Sequence, residues 1–302
     1  MNIIPILLII LLSACGRNQT WEPNDSNSQP DIEFGTDASL DIITWNLRNF
    51  PYKNQTTIDV AARALFEMDV DIAALQEIES TSDFNALIDQ LNTMSTTHTW
   101  AGQRENSAYG SINLALIYKE DEISPQLITE ILTHESYFLP RSPLLMEFTW
   151  NGLDLIILNN HFKANEAGNE DEYRRIMGCN VIKEYLDQNY PDRRVILLGD
   201  LNDELTDPVE VNVFQEFIDD NLNYSFVDME IANGSYLWWS YPSYPSHIDH
   251  IMISNELFSS LAGIDHHVRT IRVDDHLDGG WAYYYLNVSD HRPVGLRLEF
   301  AQ

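Results

Sequence analysis

The sequence predicts one α/β domain built around two sheets. Three observations carry that expectation. Short apolar runs of strand length recur from residue 40 onward, only a few stretches have helical spacing, and no Gly/Pro-rich linker interrupts 40–302. With 302 residues, 44% of them hydrophobic and 11% aromatic, the chain can bury a substantial core.

The elements follow in order. "LDIITWNL" (40–47) reads as a strand. "TIDVAARALFEM" (57–68) puts Ile58, Ala61, Ala62, Leu65 and Phe66 on one helical stripe. "VDIAALQEI" (70–78) is a continuous apolar run ending in Gln76 and Glu77. A helix is expected at 82–92, then strands at "INLALIYK", "LLMEFTW" and "LDLIILNNHF". A helix at 170–188 carries Cys179 in its apolar pattern, as a buried thiol. The strand "RVILLGD", a helix at 209–221, and the strands "SHIDHIMIS" and "VGLRLEF" complete the set.

The amino terminus has a different composition. Residues Ile3 to Leu12 form an apolar stretch too short to span a bilayer and suited to a signal-peptide core. It runs into Leu12-Ser13-Ala14-Cys15, which resembles a bacterial lipobox, although no Lys or Arg precedes it. The expected division is a signal peptide at 1–14, a disordered polar tether at 15–36 and the folded domain at 37–302. Cys15 would be lipidated, making this an exported lipoprotein of the cell envelope, held to a membrane by its lipid. Gly16 after the cysteine implies outer-membrane sorting where the host has that membrane. Only Cys15 and Cys179 exist, so no disulfide framework is available.

The formal charge is −30, from 47 acidic and 17 basic residues. That argues against a basic footprint for nucleic acid or anionic lipid. A polyanionic substrate remains compatible if metal ions supply positive charge locally.

Ionisable and amide residues recur where the apolar runs end. Asn46 closes one run, Glu77 a second, His161 a third, and Asp200 with Asn202 a fourth. Asp249 lies within "HIDHIMIS", and Asp290-His291 precedes the last strand. Single endings of this kind are common, because Asp and Asn favour turns. So many in one chain imply that the ends converge into a rigid set of oxygen ligands and imidazoles.

The segments "TWNLRNF", "DIAALQEI", "NNHFKA", "LLGDLND", "IDHIMIS" and "SDHRPV" resemble, in order, the endonuclease/exonuclease/phosphatase superfamily. "LPRSPLLMEF" is similar to the segment that supplies a phosphate-contacting Arg in the deoxyribonucleases. His250 after Asp249, where Tyr is more usual, resembles secreted bacterial nucleases, as does the helix before "LLGD". The resemblance implies a four-layer α/β/β/α sandwich and metal-dependent hydrolysis of a phosphoester. It implies that Glu77, with Asn46 and Asp290, holds Mg²⁺, with Mn²⁺ or Ca²⁺ also possible. Asp200 would orient or deprotonate the attacking water, and Asn202 would donate to the phosphate or the attacking oxygen. Asp249 would hold His291, whose role as base or phosphate donor stays open. His161 would donate to a phosphate oxygen or assist the leaving group, and Arg141 would clamp a non-bridging oxygen.

His247, His250, His266, His267 and His276 lack zinc-ligand spacing and Cys partners, so they are expected to line the site or occupy loops. The aromatic run "YLWWSYPSY" (236–244) is either a stacking platform or packing. Three functions follow: a surface-tethered nuclease, a phosphodiesterase or phosphatase for a lipid headgroup or small phosphoester, and a non-catalytic binding protein. Every expected catalytic position is occupied, which disfavours the last, and the motif variants favour a nucleic-acid substrate.

Overall fold

The apolar runs form the inner strands of two six-stranded sheets. The structure, a computed structural model, describes residues 32–105, 112–261 and 267–300. In chain order the strands are β1 (Leu40–Phe50), β2 (Ile72–Ile78), β3 (Trp100–Arg104), β4 (Asn113–Lys119), β5 (Ser124–Glu130) and β6 (Leu144–Trp150). They continue with β7 (Leu153–His161), β8 (Arg194–Asp200), β9 (Tyr224–Phe226), β10 (Asp249–Ser254), β11 (Val268–Thr270) and β12 (Val294–Leu298). The helices are α1 (Gln55–Met68), α2 (Thr81–Met94), α3 (Asn169–Asn189), α4 (Gln215–Asp219), α5 (Met229–Ala232) and α6 (Gly280–Asn287).

One sheet runs β11-β12-β1-β2-β4-β3 and the other β5-β6-β7-β8-β10-β9. Their inner strands are apolar on both faces because both faces are covered. Ile42, Ile72, Leu116, Ile157, Ile196 and Ile251 fill the space between the sheets. Alternate residues point outward, as the period of two requires. On one side Ile43, Trp45 and Leu75 pack with Leu65 of α1 and Leu87 of α2. On the other, Ile156 and Leu197 pack with Ile182 of α3 and Phe214. The result is the four-layer α/β/β/α sandwich, with Cys179 buried in its outer layer.

A buried polar bridge joins the sheets below the functional residues. Gln76 Nε2 donates to Asn159 Oδ1 at 2.8 Å, and Asn159 Nδ2 donates to the carbonyls of Leu75 and Ala115, both at 3.0 Å. These bonds fix one sheet against the other where β2 and β7 end. Beside them, Gly199 adopts φ +145°, and a Cβ there would lie 1.9 Å from the Asn160 carbonyl oxygen. Only glycine lets β8 approach β7 this closely before Asp200.

Two expectations need correction. The helix expected at 209–221 shrinks to Gln215–Asp219. Asn212 is the cause: its Nδ2 donates to the carbonyls of Leu205 and Asp207 and its Oδ1 accepts from Phe214 N–H, holding a turn instead of a helix. Packed chain also begins before residue 37. Ile32 and Phe34 are buried, and Phe34 N–H donates to the Met68 carbonyl at 3.0 Å. Two apolar residues in an otherwise polar stretch suffice to dock it on the end of α1. Cys15, the signal peptide, most of the tether and His266 lie outside the described residues.

Candidate active site

Sheet register places three of the expected residues in one row. His161 at the end of β7 is the parallel partner of Asp200 at the end of β8, and Asp200 is the antiparallel partner of Asp249 at the start of β10. All three side chains are buried. His161 Nε2 lies 3.5 Å from Asp200 Oδ2 and 4.0 Å from Glu77 Oε1. His291 enters from the other sheet, with Nδ1 2.8 Å from Asp249 Oδ2 and Nε2 3.8 Å from Asp200 Oδ2.

The first sheet contributes Asn46 and Glu77. Asn46 Nδ2 donates to Asp200 Oδ2 at 2.8 Å and to Glu77 Oε1 at 3.2 Å, so one amide joins carboxylates from both sheets. Its Oδ1 accepts from Arg48 N–H at 2.8 Å. Glu77 Oε2 accepts from Asn49 N–H at 2.7 Å, and Glu77 itself holds φ +63°, a strained value for a non-glycine residue. Asp290 stands at the rim, 3.6 Å from Arg48 Nε.

Asn202, also left-handed at φ +54°, is held by its N–H to Asp200 Oδ1 (3.1 Å) and by its Nδ2 to the Phe162 carbonyl (3.2 Å). Arg141 Nη1 donates to the same carbonyl at 3.1 Å. Glu77 and Asp200 are the foremost charges acting on that guanidinium. Each expected residue therefore lies in one connected arrangement spanning the two sheets.

Its electrostatics follow from burial and crowded carboxylates. Burial and the nearby Asp249 and Glu77 raise the Asp200 pKa, opposed by His291 and Asn46. Burial works against a charged His291 ring, but Asp249 and Asp200 outweigh it and raise its pKa to about 10. His161 goes the other way: burial, then Arg141 and His291, push its pKa well below the ordinary value. One imidazole is thus kept cationic and the other neutral. Asp249 Oδ1 and His161 Nδ1 are buried and have no hydrogen-bond partner among the described residues. An oxygen-rich donor set with surplus negative charge and an orphaned carboxylate oxygen fits a hard divalent cation.

Sequence reasoning did not single out several residues that build this arrangement. Ser289 Oγ donates to the Asn46 carbonyl at 2.6 Å and accepts from His291 N–H at 3.0 Å. Tyr284 hydroxyl accepts from Trp45 Nε1 and donates to the His291 carbonyl. Tyr241 packs its ring 4.7 Å from that of His291, so part of the aromatic run does reach the site. Arg48 lies between Tyr52 and Tyr285, 4.4 and 4.7 Å from their ring centres. A Ser-x-His spacing and an aromatic beside a motif were the available signals, and neither is distinctive.

Behind the row, Asp228 joins His247, which lies in the loop before β10 as expected, and His250, which lies on β10 itself rather than in a loop. All three are buried. Asp228 Oδ2 accepts from His247 Nε2 (3.0 Å) and His250 Nδ1 (2.6 Å), while His250 Nε2 donates to the Asp203 carbonyl (2.8 Å). Both nitrogens of His250 donate, so the ring is an imidazolium tying β10 to the loop of Asn202 and Asp203 that follows Asp200. Burial opposes each charge, but mutual attraction raises the His250 pKa and lowers that of Asp228.

The lowered Asp228 pKa contributes stability above its unfolded value near 3.9, lost as pH falls through the folded value. The raised His250 pKa contributes stability below about 6.5, lost as pH rises through the folded value. Asp228→Asn should therefore destabilise most between about pH 4 and 6.5, by about 3–5 kcal/mol, as expected when one partner of a buried pair is removed. Denaturant melts across pH check this; an equal loss at pH 3 and pH 6 would contradict it.

Similarity to known proteins agrees with the geometry. A model of the endonuclease/exonuclease/phosphatase family matches residues 25–274. No curated protein sequence matches the chain. Among solved structures, D. rerio TDP2 complexed with a single-strand DNA product is 16% identical, with TM-score 0.62, covering 87% of this chain and all of that one. The human Nocturnin catalytic domain with bound sulfate is 14% identical, with TM-score 0.60, covering 87% and 95%. A mannosyl-6-phosphatase of Bacteroides thetaiotaomicron is 16% identical, with TM-score 0.58, covering 87% and 100%. The sandwich, the acid-and-imidazole row and the family match together make this chain a member of the endonuclease/exonuclease/phosphatase family, a metal-dependent phosphoester hydrolase.

Proposed function

We propose that the protein is a nuclease, hydrolysing phosphodiesters of DNA or RNA, and that a lipid on Cys15 tethers it to the cell envelope. The observation that carries the substrate class is the rim of the site. Tyr241 lies against His291, and Arg48 is held between Tyr52 and Tyr285 beside Asp290. Flat rings that can stack on bases recognise a strand without the basic surface this acidic chain lacks.

Glu77 and Asp290, with Asn46, would hold Mg²⁺, or Mn²⁺ or Ca²⁺, through side-chain oxygens. When bound, the ion would neutralise charge on the phosphate. Asn46, whose amide nitrogen faces Glu77 and Asp200, aligns those two carboxylates. Asp200 accepts the proton of the attacking water, a role its raised pKa suits. Asn202 and neutral His161 donate hydrogen bonds to the phosphate or leaving oxygen. Cationic His291, fixed by Asp249, donates to a phosphate oxygen rather than acting as base, and Arg141 binds another.

One panel tests this: the purified domain from residue 32 onward with plasmid DNA, RNA, sphingomyelin, inositol phosphates and a sugar phosphate, with and without Mg²⁺. Mg²⁺-dependent cleavage of nucleic acid is expected to exceed turnover of the others. The −30 charge favours a small phosphoester instead, and preferential turnover of one would replace the nuclease reading. For the anchor, Cys15→Ser should move the protein from the membrane fraction to the soluble one or leave it unprocessed. A mature, cleaved Cys15→Ser protein still on the membrane would rule out lipid as the tether.

A further inference from the structure

Among the described residues, large apolar side chains are exposed three in a row at one turn only: Tyr236, Leu237 and Trp238, each half or more exposed. The backbone beneath them is held. Ser235 Oγ accepts from Leu237 N–H at 3.4 Å, and the Ser235 carbonyl accepts from Trp238 N–H at 2.9 Å. The Leu237 carbonyl accepts from Arg292 Nη1 at 3.0 Å, and Trp239 Nε1 donates to the Ile231 carbonyl at 3.1 Å. The three side chains thus stand in solvent on a well-bonded turn. Leaving them in water forgoes the stabilisation that burial gives, and a contiguous exposed apolar run marks a contact surface.

The turn stands beside the point where the amino-terminal segment meets the domain, because Ile32 and Trp238 line one cavity. Sixteen residues, 16–31, separate Ile32 from Cys15. A flexible chain of that length has an r.m.s. span of about 20–24 Å. A bilayer that holds Cys15 therefore meets this flank at high effective concentration. The residue types suit the boundary between lipid and water. Tyr and Trp combine an apolar ring with a polar edge that stays at the headgroups, and Leu adds apolar area. Net charge of −30 removes any general attraction to anionic lipid, so the matching surface is a zwitterionic one.

We propose that Tyr236, Leu237 and Trp238 dock on a zwitterionic phospholipid surface, laying the flank beside β11 against the membrane that holds Cys15. The inference rests on the lipid anchor proposed above and not on the nuclease reading. The same turn is tied to the family site. Arg292, which holds the Leu237 carbonyl, follows His291 in the chain, and Tyr241 packs its ring 4.7 Å from that of His291. Docking therefore sets the distance of the site from the lipid, whereas a tether alone leaves it free to range.

The test couples the chain from Cys15 onward, through that thiol, to a maleimide phospholipid in phosphatidylcholine vesicles. Cys179 is buried and does not compete for the coupling. Amide hydrogen exchange across 235–240 should slow severalfold relative to the uncoupled chain without vesicles. Exchange in β5, on the opposite edge of its sheet from β9, should not change. Leu237→Asp puts a charge into the contact at an exposed position and should abolish the slowing at an unchanged melting temperature. Tyr236→Ser with Trp238→Ser, which adds no charge, should do the same. Equal exchange with and without vesicles overturns the proposal, as does slowing that survives both variants. Slowing that needs added phosphatidylglycerol also overturns it, and slowing that grows with protein concentration in the absence of lipid assigns the turn to a second copy instead. Chemical coupling separates the two readings: slowing here, with no lipid found on Cys15 in cells, keeps the docking surface and fails the anchor alone.

Discussion

His291→Ala lowers turnover by about 10² to 10⁴-fold, and adding Asp249→Asn to it lowers turnover little further. This is the expected result because the two side chains form one unit. Asp249 Oδ2 sits 2.8 Å from His291 Nδ1, and both are buried, so the carboxylate fixes the tautomer and stabilises the cation. Asp249→Asn alone should also move the alkaline fall of activity to lower pH. Asp249 is the foremost influence raising the His291 pKa, against burial, and its loss lets the ring deprotonate sooner. The measurement is turnover against pH, at saturating Mg²⁺, for both single variants and the double. Multiplying losses would mean independent residues, and an unmoved alkaline limb would separate the carboxylate from the proton on the ring.

Chelation should remove activity entirely, the largest effect expected of this protein, and added Mg²⁺ should restore it. Glu77→Gln should raise the metal concentration needed for half-maximal activity, because a neutral amide replaces a charged oxygen ligand. Glu77 also accepts from Asn49 N–H and Asn46 Nδ2, so the glutamine keeps the side-chain shape while removing the charge. Metal titrations of activity, with melting curves as the control for folding, read the difference. Full activity in excess chelator, or an unshifted metal requirement in the variant, would sink the metal assignment.

Legibility in the sequence divides along the sheets' interior. The runs that announced themselves became inner strands: β1, β2, β4, β6, β7, β8, β10 and β12. The four that did not, β3, β5, β9 and β11, are the four edges. An edge strand has one neighbour and is often short or exposed, so it need not carry a continuous apolar run. β5, "SPQLITE", has no fully buried residue, and β11 has three residues. The residues of the row were legible for the complementary reason. Each is polar at the end of a run that is otherwise apolar, as Asp200 is after Val195–Leu198. The residues that hold them were not. Gln76, Asn159, Ser289 and Asp228 are polar residues whose partners lie tens of positions away or on the backbone, and one sequence does not record pairings made by topology.

The order in which the chain threads the sheets also governs when it can act. The first strand of the fold, β1, lies between β2 and β12, and β12 is the last. Asp290 and His291 immediately precede β12, while Asn46 lies on β1. All of the sequence between them must be in place before the first strand gains its second neighbour and the imidazole reaches Asp249. A half-made molecule can bury much of its core and still lack that imidazole. Completion of the site is therefore tied to the joining of β1 and β12: a chain cut between β10 and Asp290 keeps Asn46, Glu77 and Asp249 and has no complete site.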